Sequence, residues 1–182
     1  MMTESLVRVS TDPVVDLFTA RTTTAPGPAL LVVHGGPDWD HTYLTEPLAR
    51  LPRQVVFADL RGCGRSTRGL PDGAYTPDAA TRDLVALLDA LKIGEVDVLG
   101  FSYGGLIAQR LALARPVRRL AIASSSVLPV STPDGRPRAE RAAAMIPSAT
   151  AVVLEEAGHM AHVDQPEAWL RAVAAFLGGK PG

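Results

Sequence analysis

The sequence predicts one α/β domain over residues 1–182, built as three layers: a mainly parallel sheet of about seven strands with helices on both faces. Three observations support this fold class. Strand-like apolar segments alternate with helical segments along the chain, and this alternation is typical of parallel sheets. Residues 29–33 are continuously apolar, as expected of a strand that is covered on both faces. Residues 100–104 join a short strand to a helix through a glycine-rich turn.

A short hairpin precedes the alternating part of the predicted fold. Its strands are predicted at 6–9 and 14–18, with Pro13 in the turn. The best-defined helix opens at 76–78, where a proline stands in the first turn, and Gly94 closes this unit. The remaining elements are predicted, in chain order, as strand 29–33, helix 42–51, strand 54–58, strand 96–99, helix 106–114, strand 120–123, helix 138–145, strand 151–154 and helix 167–177.

The composition limits the classes of function. The chain carries a formal net charge of −1, which gives no electrostatic basis for binding nucleic acid or an anionic membrane surface. No apolar stretch approaches the roughly 20 residues that cross a bilayer, and residues 1–5 lack the basic and apolar segments of a secretion signal. We therefore expect a cytoplasmic protein. Cys63 is the only cysteine, so an internal disulfide is excluded.

The segment Gly100-Phe101-Ser102-Tyr103-Gly104 predicts a nucleophilic serine. It matches the pattern G-x-S-x-G, in which small neighbours allow a sharp turn from strand to helix. Such a turn exposes the serine hydroxyl at the carboxyl end of a sheet and at the positive end of a helix. A serine hydroxyl is a poor nucleophile at neutral pH and needs a base that an acid orients.

His159 is the predicted base. It lies in Glu156-Ala157-Gly158-His159, after the last predicted strand, where a loop would sit above the carboxyl edge of the sheet. His162 is the alternative, although a second histidine so close by more often packs or hydrogen-bonds beside the site. His41 is interpreted as a residue at the start of a helix.

Four blocks of the chain resemble the α/β-hydrolase superfamily, and they occur in the order that the family shows. Two of them, His34-Gly35-Gly36-Pro37 and residues 59–66 (DLRGCGRS), look most like the proline iminopeptidase branch. The other two are residues 100–105 and 157–162 (AGHMAH). The resemblance covers nearly the whole chain and implies a serine hydrolase built on this fold.

The chain departs from the family pattern between its sixth strand and the loop that bears the acid. Such enzymes usually carry a helical cap there, whereas only residues 124–133 lie between these two features. We therefore expect a minimal α/β-hydrolase fold with no cap. A parallel crossover takes about a dozen residues or more, so residues 124–137 are interpreted as an excursion and 138–145 as the true crossover helix.

Asp134 is the predicted catalytic acid. It lies between Ser102 and His159, which is the chain order expected for this type of triad. The surrounding Pro-Asp-Gly is also ordinary turn chemistry, so a purely structural role stays open. Glu140 and Glu155 are weaker alternatives for the acid.

The resemblance assigns the two N–H donors of an oxyanion hole to Gly36 and Tyr103. Glycine permits close approach of the backbone to a substrate carbonyl, and two donors are what a developing oxyanion requires. Trp39 and Trp169 are expected to pack, and Trp39 lies close enough to the oxyanion loop to contact substrate as well.

The glycine-rich residues 59–66 do not indicate a nucleotide site, because they lack the lysine of a P-loop and the spacing of a dinucleotide fingerprint. They are interpreted as a structural turn in which Asp59 and Arg61 brace loops near the site. No cluster of histidine, cysteine and aspartate has the spacing of a metal site. We predict neither a metal nor another cofactor.

Together these features predict a cap-less serine hydrolase that cleaves small carboxylic esters through an acyl-enzyme, with no nucleic acid or membrane as partner. Two alternatives stay open: an aminopeptidase that releases amino-terminal proline, and a catalytically inactive binding protein with the hydrolase fold. Apolar surface that a cap would cover must be buried in some other way. We therefore also expect a homodimer.

Overall fold

A computed structural model of the chain describes residues 2–23, 25–125, 140, 143–144 and 148–178. Within these residues six strands form one sheet in the order β1-β2-β4-β3-β5-β6. The β1–β2 and β2–β4 pairs are antiparallel, and the β4–β3, β3–β5 and β5–β6 pairs are parallel. The predicted mainly parallel α/β sheet is confirmed. The strands are β1 Thr3–Thr11, β2 Val14–Arg21, β3 Ala29–Val33, β4 Val55–Ala58, β5 Val96–Phe101 and β6 Arg119–Ala123.

Helices connect the parallel strands. The predicted helix that opens with Pro77 is present, and the Thr76 hydroxyl caps it by accepting the Ala79 N–H at 3.2 Å. None of the helices in the described ranges is long and apolar enough to cross a membrane. The described helices with printed bounds are α1 Thr42–Leu48, α2 Pro77–Ala90, α3 Tyr103–Ala114, α4 Ala161–Asp164 and α5 Pro166–Leu177, together with a 3₁₀ turn, Asp72–Ala74.

The two faces of the sheet are covered by different helices, as the sequence predicts. Successive residues of a strand point to opposite faces. In β3, Leu31 and Val33 pack against side chains of α2 and α3, whereas Leu30 and Val32 pack against side chains of α1 and α5. All four side chains are fully buried, which explains why β3 is continuously apolar.

Two predicted elements differ from the structure. Residues 151–154 form no strand; Val152 and Val153 are about half exposed, so this apolar segment does not mark a buried strand. The predicted helix 42–51 ends at Leu48, and Glu46 inside it has an extended backbone because it precedes Pro47. Of the predicted crossover helix, residues 140, 143 and 144 are described and helical. The other residues of that helix, and 126–137 of the excursion, lie outside the described residues.

A buried ionic group attaches the end of α5 to the amino end of the sheet. Asp97, in β5, is fully buried, and the Arg53 guanidinium donates to its carboxylate at 2.6 Å. Arg118 donates to the same carboxylate through two nitrogens. Arg53 also donates to the carbonyl oxygen of Leu177, the last residue of α5, at 2.9 Å. Both arginines therefore neutralise one buried carboxylate, and Arg53 holds the helix end as well.

Candidate active site

Ser102 occupies the sharp turn between β5 and α3, at the carboxyl edge of the sheet. Its backbone has φ +52° and ψ −118°, a strained conformation that L-residues seldom adopt. Neighbouring segments crowd this turn: a Cβ on Gly104 would lie 2.1 Å from the carbonyl oxygen of Val33, and one on Gly100 would lie 2.4 Å from that of Gly104. The two glycines of the G-x-S-x-G pattern are therefore required by close backbone approach.

The structure brings the predicted nucleophile and base together. The Nε2 atom of His159 lies 3.1 Å from the Oγ atom of Ser102, across a separation of 57 residues. The imidazole also packs against the ring of Phe101, with centroids 5.3 Å apart. The loop that carries His159 is held by the N–H of Gly158, which donates to the Asp164 carboxylate at 2.8 Å. This arrangement is suited to proton transfer from the serine hydroxyl to the imidazole.

The glycine loop that follows β3 lies directly against the serine. A Cβ on Gly35 would lie only 2.7 Å from the Cβ of Ser102. The next residue, Gly36, has φ +71°, a left-handed conformation that costs glycine little. The predicted oxyanion loop and the predicted nucleophile are therefore neighbours.

His34 orients this loop, a role that the sequence did not reveal. Its Nε2 accepts the backbone N–H of Leu60 at 3.0 Å, so Nδ1 carries the proton and donates to the carbonyl oxygen of Gly35, also at 3.0 Å. Burial lowers the pKa of the His34 imidazole and favours its neutral form. The carbonyl of Gly35 and the N–H of Gly36 belong to one planar peptide unit, so His34 fixes the direction of the predicted donor.

Tyr103 is the first residue of α3. The first N–H groups of a helix have no partner within the helix, and the helix dipole makes this end positive. The N–H of Tyr103 is therefore free of the helix ladder and stands directly after Ser102. Its position is the one expected of the second donor to an oxyanion.

Trp39 lies at the edge of the oxyanion loop. It is 53% exposed, and a Cβ on Gly36 would lie 3.0 Å from its Cγ. Its indole also meets the Tyr43 ring edge-on, with centroids 5.2 Å apart. The tryptophan therefore lies exposed beside the oxyanion loop, and its contact with substrate stays a prediction.

Comparison with known proteins agrees with this fold. Residues 28–139 match the model of the family described as alpha/beta hydrolase fold. The chain belongs to this family. An epoxide hydrolase from Caballeronia sordidicola is 39% identical over 103 residues, which are 56% of this chain and 31% of that protein. A proline iminopeptidase from Lacticaseibacillus rhamnosus is 37% identical over 81 residues, which are 43% of this chain and 28% of that one.

Solved structures also align with this chain. A proline iminopeptidase-related protein from Thermus thermophilus aligns with a TM-score of 0.63 at 28% identity, covering 70% of this chain and 46% of that one. The proline iminopeptidase of Mycobacterium smegmatis aligns with a TM-score of 0.62 at 30% identity, covering 68% and 44%. The chain thus spans about a third of the curated relatives above and less than half of these solved chains.

The predicted acid of this α/β hydrolase, Asp134, lies outside the described residues, so its position relative to His159 stays a prediction. Among the residues that the structure does describe, the Nδ1 atom of His159 has no carboxylate partner. Glu140 and Glu155, the weaker alternatives, are both exposed.

His162 packs beside the site, as its proximity to His159 suggested. It is 2% exposed, and its ring lies 5.1 Å from that of Phe101 and 5.6 Å from those of Tyr43 and Trp169. Burial lowers the pKa of His162 and favours a neutral ring. This histidine therefore contributes to the core beneath the site, and it is His159 that meets Ser102.

The loop after β4 is braced by ionic contacts, as predicted for Asp59 and Arg61. The Asp59 carboxylate accepts from the His41 ring at 2.6 Å and from the N–H of Arg65 at 3.0 Å. Burial alone would raise the pKa of Asp59, but these hydrogen bonds outweigh it and lower the pKa. Arg61 makes a bidentate pair with Asp83, each contact 2.6 Å long. His41 directly precedes α1, as expected of a residue at a helix start.

Proposed function

We propose that this α/β-hydrolase-fold protein is a serine hydrolase that cleaves small carboxylic esters. The observation that carries the proposal is the 3.1 Å contact between the Oγ of Ser102 and the Nε2 of His159, on a turn whose glycines are required sterically. The strained backbone of Ser102 adds support, because such strain concentrates at functional sites.

In the proposed mechanism Ser102 attacks the acyl carbonyl while His159 takes the hydroxyl proton. The N–H groups of Gly36 and Tyr103 stabilise the tetrahedral oxyanion. His159 then gives the proton to the leaving alcohol, and the carbonyl reforms as an acyl-enzyme. Asp134 holds the imidazolium that forms in between. Water then attacks the acyl-enzyme while His159 takes one of its protons. His159 returns that proton to the Ser102 oxygen as the bond to the acyl group breaks and the carboxylic acid leaves.

A serine at the elbow favours a carbonyl substrate over an epoxide. Attack of an alkoxide on an epoxide carbon gives an ether, which water does not readily cleave, so Ser102 would not turn over. Attack on an ester gives an acyl-enzyme that water releases. The similarity to epoxide hydrolases therefore supports the fold of this chain, and the residue at position 102 supports acyl transfer.

Ester cleavage is also favoured over amide cleavage. An alkoxide leaves a tetrahedral intermediate more easily than an amine does, and a site without a cap has fewer groups to position an amide. The similarity to proline iminopeptidases keeps one alternative, the release of amino-terminal proline. Parallel assays with nitrophenyl esters and a proline arylamide separate these activities, and we expect turnover of the esters.

Replacement of the nucleophile tests the proposal most simply. Ser102→Ala is expected to abolish ester turnover and labelling by a fluorophosphonate, whereas Ser10→Ala, a serine on β1, should leave both unchanged. Equal turnover by Ser102→Ala would contradict the proposal. Failure of the fluorophosphonate to label the native chain would support the other alternative, an inactive binding protein.

The identity of the acid is tested by comparing three isosteric variants. Asp134→Asn is expected to lower kcat strongly, because the amide cannot stabilise the imidazolium as a carboxylate does. Glu140→Gln and Glu155→Gln, the matched controls, should retain kcat. A larger loss in either control than in Asp134→Asn would move the role of the acid to that glutamate.

A further inference from the structure

A tyrosine hydroxyl contacts the oxyanion loop in addition to His34. The backbone N–H of Gly35 donates to the Oη of Tyr43 at 2.8 Å, and the same hydroxyl lies 3.5 Å from the carbonyl oxygen of Gly35. His34 holds that carbonyl at 3.0 Å. The two polar groups of Gly35 are therefore held by two different side chains.

Gly35 needs such restraint because it must be glycine. A Cβ at this position would lie 2.7 Å from the Cβ of Ser102 and 2.7 Å from the carbonyl oxygen of Phe101, so no larger residue fits. Glycine, however, moves freely between backbone conformations. Without outside contacts, the peptide that carries the Gly36 N–H would sample several orientations.

The Tyr43 side chain is itself held in place by rings from two other parts of the site. It meets Phe101, the residue before the serine, with centroids 5.7 Å apart, and His162, on the helix that follows His159, at 5.6 Å. Burial raises the pKa of Tyr43 to about 12, so the hydroxyl stays uncharged near neutral pH. Tyr43 thus contacts the oxyanion loop, the nucleophile strand and the histidine segment at once.

We propose that Tyr43 is a positioning residue for the oxyanion hole: its hydroxyl holds Gly35 so that the Gly36 N–H points at the oxygen that becomes negative. This inference rests on the proposed function. Tyr43 touches no reacting atom, and it acts through Gly35. Its contribution falls on the transition state, because the orientation of an oxyanion donor matters most when charge develops.

The test compares Tyr43→Phe with a matched control, Tyr75→Phe. Both tyrosines accept a backbone N–H through the hydroxyl, Tyr43 from Gly35 at 2.8 Å and Tyr75 from Leu70 at 2.7 Å. Both substitutions keep the ring. We expect Tyr43→Phe to lower kcat for a nitrophenyl ester by about tenfold, the factor that one lost hydrogen bond supports, with KM within about twofold. Tyr75→Phe should match the native chain, and circular dichroism should show both variants folded.

A boronic acid gives a readout that a merely structural role would not change. Phenylboronate forms a tetrahedral adduct with a reactive serine, so its Ki should rise in Tyr43→Phe by the same factor as kcat/KM falls. Full kcat in Tyr43→Phe, an equal loss in Tyr75→Phe, or an unchanged Ki would each overturn the inference while native activity stands. Absence of Ser102-dependent turnover in the native chain would instead refute the proposed function, and this inference with it.

Discussion

Loss of the Asp97 charge should destabilise the fold more than the loss of a comparable charge at the surface. Asp97 is fully buried, and its partners Arg53 and Arg118 are 12% and 29% exposed. In Asp97→Asn both guanidinium groups lose their counter-ion at the amino end of the sheet. Removing one partner of a buried ion pair typically costs about 3–5 kcal/mol. We expect about 3 kcal/mol, the lower end of that range, because Arg118 reaches solvent.

Urea unfolding followed by tryptophan fluorescence measures this cost. At a slope of about 2 kcal/mol per molar urea, 3 kcal/mol lowers the unfolding midpoint by about 1.5 M. The matched control is Glu167→Gln, which breaks the pair of Glu167 with Arg50 at the other end of α5. Both members of that pair are about half exposed, so the midpoint should hardly move. Equal shifts in the two variants would refute the argument that burial makes the Asp97 group structurally important.

Three further predictions concern the site and the assembly. Asp164→Ala frees the Gly158 N–H beside His159 and should lower kcat about fivefold. Asp164→Asn keeps an acceptor oxygen, so its kcat should stay close to that of the native chain. A kcat in Asp164→Ala within twofold of native would refute this prediction. Burial lowers the pKa of His162 in the folded chain, so the unfolded chain binds more protons below about pH 6.5. The free energy of unfolding should therefore fall as pH decreases through this range. In urea titrations at several pH values, His162→Phe should show a shallower decrease of the free energy of unfolding. If the apolar surface left by a missing cap is shared between two chains, sedimentation velocity should show a dimer that grows with concentration, and a monomer at every concentration would count against it.

The parts of the fold that local pattern determines were predictable from the sequence. The continuously apolar β3 is covered on both faces, and the helix that begins at Pro77 carries its own cap. The elbow around Ser102 was predictable for a further reason: the two glycines of its pattern are imposed by backbone contacts that any such turn makes. At residues 151–154 the same reasoning failed, because an apolar run does not by itself show which side chains the fold will bury.

The residues that support the site could not be found in this way. Tyr43 and Asp164 are ordinary polar residues in helices, and each accepts a hydrogen bond from a glycine N–H on another segment or turn. His34 belonged to a recognisable block, but its tautomer depends on Leu60, which is 26 residues away. Such roles arise from tertiary contacts that leave no periodic trace in the sequence.

The central claim is that Ser102 is a nucleophile activated by His159. The most direct measurement is the rate at which a fluorophosphonate labels the chain, with the modified residue located by mass spectrometry. We expect a single label on Ser102 and a labelling rate at least about 100-fold lower in His159→Gln. The labelling rate of His162→Gln should fall much less. A label on another serine, or equal rates in the native chain and in His159→Gln, would contradict this claim.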